Sequence, residues 1–180
     1  TTGGSTLVGE FNIDAPDAAV HRVVVAEYNE TDGWWNWRDI NNGSDVAWKD
    51  ENTIAFVAFD GTDLEIFTRD VTDPQNPGAI TRVTDDTVDQ TGPAFSPDGT
   101  KLAYVEGGDI WVDPGTGAAQ ETFTTEAERD LAWSSDGTAL AFVRETMPGQ
   151  GDVFKIDLDG TNEVNVTNSG GVAEYHEPVW

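Results

Sequence analysis

One hairpin is written twice in this chain, and a looser copy is written a third time. Pro93-Ala94-Phe95-Ser96-Pro97-Asp98-Gly99-Thr100-Lys101-Leu102-Ala103-Tyr104-Val105 is echoed by Asp130-Leu131-Ala132-Trp133-Ser134-Ser135-Asp136-Gly137-Thr138-Ala139-Leu140-Ala141-Phe142-Val143, and the third copy runs from Asp45 to Val57. Self-similarity at a spacing of 38 to 47 residues between the aromatics Trp48, Phe95 and Trp133 points to units that bury their apolar faces by stacking on one another. Asp98-Gly99 and Asp136-Gly137 tolerate the positive φ of a short hairpin, and Pro97 presets its corner. Small and large side chains alternate on both sides of the turn, which suits strands covered on both faces.

Each hairpin is followed by a third strand (64–69, 109–112, 152–157) and a fourth (79–84, 120–124, 163–167), joined by turns such as Pro114-Gly115-Thr116-Gly117. Four short antiparallel strands make one propeller blade. The chain is therefore expected to be all-β: a single β-propeller domain over 1–180 with four four-stranded antiparallel blades. Blade one takes 177–180 plus 1–40, blade two 45–84, blade three 92–125 and blade four 130–168. The C-terminal share of blade one rests on the ends. Pro178-Val179-Trp180 followed by Thr1-Thr2-Gly3-Gly4 aligns without a gap to Pro93-Ala94-Phe95-Ser96-Pro97-Asp98-Gly99. On that reading Trp180 is buried and 177–180 pairs with 6–11. A four-blade segment of a larger propeller, or a ring shared by two chains, satisfies the same repeats.

The stretches Ala94-Phe95-Ser96-Pro97-Asp98-Gly99-Thr100-Lys101-Leu102-Ala103-Tyr104 and Ile156-Asp157-Leu158-Asp159-Gly160-Thr161-Asn162 resemble the repeats of TolB-like and WD-repeat-like propellers. Such blades also occur in the propeller domains of prolyl-oligopeptidase-type peptidases. The resemblance implies the blade and leaves the activity open, since this fold hosts many roles.

Charge narrows the partners. Thirty-four acidic residues face nine basic ones, for a formal charge of −25. Nucleic acid and anionic membranes need clustered Lys and Arg, so both are excluded as partners, and no apolar run is long enough to span a bilayer. The acids are spread along the chain, a pattern resembling that of proteins from salt-loving organisms. Molar salt is accordingly expected to raise the melting temperature by screening carboxylate repulsion; a melting temperature that stays flat or falls would sink the halophilic reading. Without cysteine there are neither disulfides nor thiolate metal sites.

No catalytic residues are expected. The chain has two histidines, no G-x-S-x-G serine and no H-E-x-x-H pair, and neither a cofactor nor a metal is expected. The run Asp157–Glu163 has oxygen ligands at alternate positions but lacks the third acid and the distal bidentate glutamate of a calcium loop; it reads as a hairpin turn. The expectation is a non-enzymatic binding or scaffold propeller, extracellular, at the cell surface or periplasmic. It would contact a protein or polar carbohydrate, or associate with itself. The contacts would come from four loops (41–45, 85–91, 125–130, 168–176) that join a fourth strand to the next inner strand. Their candidate residues are Asp45, Asp89, Glu128, Arg129, Tyr175 and His176, with the aromatic cluster Trp34, Trp35 and Trp37 as a second candidate surface. The alternatives are the propeller domain of a larger peptidase or carbohydrate-active enzyme, and a structural subunit of a surface layer or filament. Asn29, Asn42 and Asn165 match the glycosylation pattern, Asn42 in a predicted loop.

Overall fold

The computed structural model describes residues 6–15, 18–29, 34–73, 76–147, 150–170, 175, 176 and 178–180. They form four antiparallel sheets, each a meander in chain order. The first holds β1 (Thr6–Ala15), β2 (Ala18–Asn29) and β3 (Trp34–Asn42). The second holds β4 (Ser44–Trp48), β5 (Thr53–Phe59), β6 (Leu64–Asp70) and β7 (Ile80–Arg82). The third holds β8 (Gln90–Phe95), β9 (Leu102–Glu106), β10 (Asp109–Asp113) and β11 (Ala119–Gln120). The fourth holds β12 (Glu128–Trp133), β13 (Ala139–Met147), β14 (Gln150–Asp157) and β15 (Val164–Asn165). The chain divides into two compact units, residues 1–87 and 88–180.

The period-two alternation does what a doubly covered strand requires. Ile54, Ala55, Phe56 and Val57 of β5 are all buried, as are Leu140, Ala141, Phe142 and Val143 of β13. In the first unit Val23, Ile54, Phe56 and Val71 form the core, with Trp48 and Phe67 packed on it. Gly43 lets β4 enter that core: a Cβ there would lie 2.5 Å from the Val57 carbonyl and 3.1 Å from the Phe56 ring. In the second unit Trp133, Leu140, Phe142 and Ile156 from the fourth sheet meet Ala103, Ile110 and Val112 from the third. The Trp133 indole donates to the Ala94 carbonyl at 2.9 Å, and the Lys101 ammonium lies 5.8 Å from the ring centre.

Three devices recur from sheet to sheet. The hairpin turns are held by Ser96 and Ser134, whose hydroxyls donate to Asp98 and Asp136 at 2.6 and 2.7 Å; each aspartate also accepts from Thr100 or Thr138. The inner strands of the second, third and fourth sheets carry a bulge, at 44/47, 91/94 and 129/132. The bulge residue has positive φ: Asp45 at 48°, Gly92 at 57°, Asp130 at 58°. Aspartate is among the few side chains that tolerate this region.

The third device explains why the fourth strands are shorter than expected. Ile66, Ile110 and Val153 each donate their backbone N–H not to a strand carbonyl but to a threonine hydroxyl, Thr84, Thr122 or Thr167. The acid just before each of them, Glu65, Asp109 or Asp152, then accepts the backbone N–H of Asp86, Thr124 or Ser169. Arg82, Gln120 or Asn165 donates a side-chain hydrogen to the same acid. One acid thus clamps the end of each fourth strand. Asn165 is engaged in that clamp, and Asn42 ends β3 rather than lying in a loop.

Residues 178–180 form no strand, and Trp180 is 54 % exposed. Its indole donates to the Ala132 carbonyl at 3.0 Å, and the Lys155 ammonium lies 5.5 Å from the ring centre. Trp180 thus makes on the fourth sheet the indole bond that Trp133 makes on the third. Glu177 lies outside the described residues.

The turn aspartates carry a pH prediction. Hydrogen bonds from Ser96 and Ser134, then from Thr100 and Thr138, lower Asp98 and Asp136 from 3.8 to about 2. A carboxyl lowered by folding contributes stability that is complete above its unfolded value and lost as pH falls through the folded one. Stability should therefore decline between about pH 4 and pH 2, and the double variant Asp98→Asn, Asp136→Asn should flatten that limb of a denaturant-midpoint profile. An unchanged limb would mean that these turns do not govern acid unfolding.

Candidate functional site

Of the loop residues singled out from the sequence, Arg129, Tyr175 and His176 come together. β12 places Arg129 one residue before the bulge, so its half-buried side chain turns toward the C-terminal segment. Its Nε donates to Glu145 Oε1 at 2.8 Å, and Nη1 pairs with Asp130 Oδ2. Nη2 donates to the Tyr175 carbonyl at 3.1 Å, and Nη1 lies 3.0 Å from His176 Nδ1. His176 is exposed, and its Nδ1 is 3.8 Å from Asp130 Oδ2. Because a guanidinium can only donate, the short contact makes Nδ1 the acceptor and leaves the neutral ring's proton on Nε2. The lone pair that a general base would use at Nδ1 is taken up by Arg129. The cluster presents a cation, carboxylates and an imidazole to solvent.

The other expected residues lie elsewhere. Asp45 is the bulge residue of β4, where the fold requires a residue that accepts positive φ. Asp89 is exposed, in the segment before β8. Trp34, Trp35 and Trp37 lie on β3, in register with Asn29, Tyr28 and Ala26; their side chains fall outside the described features. Glu128 is a correction. It is 3 % exposed and unavailable to a partner: Oε2 accepts from the Thr122 hydroxyl, and Arg144 holds Oε1 at 2.7 Å. Burial pushes the Glu128 carboxyl up despite both bonds.

Sequence reasoning missed a group in the second sheet. Asp60, Asp63 and Glu65 bring carboxylate oxygens within 4.8 Å of one another around the β5–β6 turn. Asp60 caps that turn, its Oδ1 accepting the backbone N–H of Thr62 at 2.7 Å and of Asp63 at 3.2 Å. Arg82 Nη1 lies 2.8 Å from Asp60 Oδ2, while Nη2 pairs with Glu65 Oε1 and lies 2.9 Å from Asp85 Oδ1. The signal was a departure from the repeat: the position two before the clamp acid holds Asp63 here but Gly107 and Gln150 in the next two sheets.

With its four-stranded meanders, bulged inner strands and clamped fourth strands, the chain has the blade fold of the β-propellers. Solved structures similar to it include two described as TolB and a peptidase. One, described as TolB from Agrobacterium tumefaciens, has a TM-score of 0.70 at 16 % identity, covering 88 % of this chain and 60 % of that one. TolB from Acinetobacter baumannii has a TM-score of 0.61 at 18 % identity, covering 89 % and 43 %. A puromycin-hydrolyzing peptidase of Mycobacterium tuberculosis has a TM-score of 0.64 at 16 % identity, covering 87 % and 26 %. The chain thus spans 60 % or less of each of these structures. No protein-family model matches the sequence, and no curated protein does.

Proposed function

We propose that the chain is a non-enzymatic binding propeller, exported or held at the cell surface, which recognises a protein partner through the Arg129–Asp130–Tyr175–His176 cluster. The observation carrying this reading is the hub made by Arg129. One half-buried guanidinium fixes two carboxylates, a carbonyl and an exposed imidazole in a single polar surface. Pre-ordered polar groups of this kind supply specificity at interfaces, where arginine is enriched. The same arrangement is poorly suited to base catalysis, since Nδ1 of His176 is already engaged.

Arrays of peptides and glycans test the partner class. Binding to peptides that weakens at least about tenfold in Arg129→Ala, with the melting temperature little changed, supports the reading. Binding to glycans alone would favour the carbohydrate alternative. Turnover of peptide, ester or glycoside substrates that disappears in His176→Ala would overturn the proposal. A second reading, the propeller of a larger peptidase, draws support from the Mycobacterium tuberculosis structure, of which this chain covers 26 %.

A further inference from the structure

The carboxylates of this chain divide by how fully their oxygens are satisfied. Asp152 accepts from Asn165, Thr167 and Ser169, the last through both backbone and hydroxyl. Asp159 takes the Thr161 N–H and hydroxyl, so the turn read above as a hairpin uses its own oxygens. Asp63 differs. It is 8 % exposed, yet no donor group reaches either of its carboxylate oxygens, whose one side-chain hydrogen-bond contact is with the like-charged Asp60. Glu65 is fully buried, and its Oε2 has no hydrogen-bond partner. Both face a third carboxylate, Asp60.

The repeat accounts for Glu65, which is the clamp acid of its sheet. It gives no reason for Asp63. Arg82 is the cation of the cluster, but its side chain bonds to Asp60, to Glu65 Oε1, to Asp85 and to the Thr84 carbonyl, none of them Asp63. Asp63 and Glu65 Oε2 thus lie buried without a donor in a cluster of three carboxylates, where a compensating positive charge is needed. We propose that Asp63, Glu65 and Asp60 bind a divalent cation of the calcium class, with Asp63 and Glu65 Oε2 as the principal ligands.

Oxygen-only ligands select a hard cation. No two of these oxygens lie farther apart than 4.8 Å, twice a Ca–O distance of about 2.4 Å, as sharing one Ca²⁺ ion requires; Mg²⁺, at about 2.1 Å, fits a tighter cage. Water completes the coordination. Arg82 repels the ion, so affinity should fall in the weak range of extracellular calcium modules, a Kd of about 10⁻⁴ to 10⁻³ M. Burial first, and then the charges of Asp60 and Glu65, raise the Asp63 carboxyl above its ordinary range, so a proton is the competitor for the same place. Through the Asp86 N–H bond to Glu65 the ion would brace the segment that follows β7.

Calorimetric titration of the whole chain with CaCl₂ at constant ionic strength tests this, with MgCl₂ titrated separately and melting temperatures recorded in calcium and in chelator. Saturable calcium binding near one ion per chain is expected, with a matching rise in melting temperature and weaker binding of magnesium. Asp63→Asn should lower the affinity at least about tenfold, while Asp159→Asn, in the satisfied turn, should leave it unchanged. Absence of a saturable calcium signal overturns the proposal and leaves Asp63 neutralised by its proton, a state in which Asp63→Asn stabilises the chain with or without calcium. Calcium binding that survives Asp63→Asn overturns it as well, by assigning the ion to other carboxylates.

Discussion

Replacing Arg144 by methionine is expected to cost about 3–5 kcal/mol at neutral pH, the usual penalty for stranding a buried charge. The side chain is 10 % exposed. It pairs with Glu128, which is wholly buried, at 2.7 Å, and it forks onto both oxygens of Glu163, also at 2.7 Å. Its guanidinium lies 4.3 Å from the centre of the Phe154 ring and 5.4 Å from that of Phe142. The pair ties two sheets together, because Glu128 also accepts from Thr122, whose oxygen holds the Ile110 N–H. Desolvation already outweighs the pair for Glu128 and raises its carboxyl. Hydrogen bonds from Arg144 hold the more exposed Glu163 below its ordinary range.

Without Arg144 the Glu128 carboxyl rises further above its unfolded value, so the variant's deficit is small below about pH 4.5 and grows as pH increases through the raised value. Adding Glu128→Gln should recover much of the loss at neutral pH, since the amide can still accept from Thr122 without a charge to compensate. Urea midpoints of the single and double variants at pH 4.5 and pH 7 check this. A deficit that is equal at the two pH values would exclude a stranded carboxylate as its cause.

Much of this fold is legible in the sequence where a local rule acts alone. The Asp98-Gly99 and Asp136-Gly137 turns, and the third strands from Leu64, Asp109 and Asp152, lie where alternation and turn chemistry put them. Clamp acids were not legible, because the loops between each acid and its threonine differ in length. Nothing short of the paired hydrogen bonds aligns Glu65 with Asp109 and Asp152. Glu128 was misassigned for a related reason: its position before an inner strand suggested a loop, whereas β12 begins at Glu128 itself. Asp45 reads as a polar contact but serves the bulge geometry, which Gly92 and Asp130 supply in the third and fourth sheets. Arg129 and His176, 47 residues apart, were each identified from a different loop. Only the fold makes them neighbours.

Trp133→Ala and Trp180→Ala should differ although the two indoles make corresponding polar contacts. Trp133 is 9 % exposed, and its ring joins a core of Ile110, Leu140, Phe142 and Ile156. Its loss should cost about 3–5 kcal/mol, the range for large aromatic truncations in packed interiors. Trp180 keeps an indole bond of 3.0 Å to Ala132 and the ammonium of Lys155 at 5.5 Å from its ring centre, but half of its surface faces solvent. A net hydrogen bond and an exposed cation–π contact together amount to about 1–2 kcal/mol. Deletion of residues 175–180 should therefore lower the melting temperature less than Trp133→Ala does. Denaturant titrations followed by circular dichroism separate the cases, because they do not depend on the fluorescence of the residue removed. Equal losses for the two tryptophan variants would mean that Trp180 is buried in solution as Trp133 is.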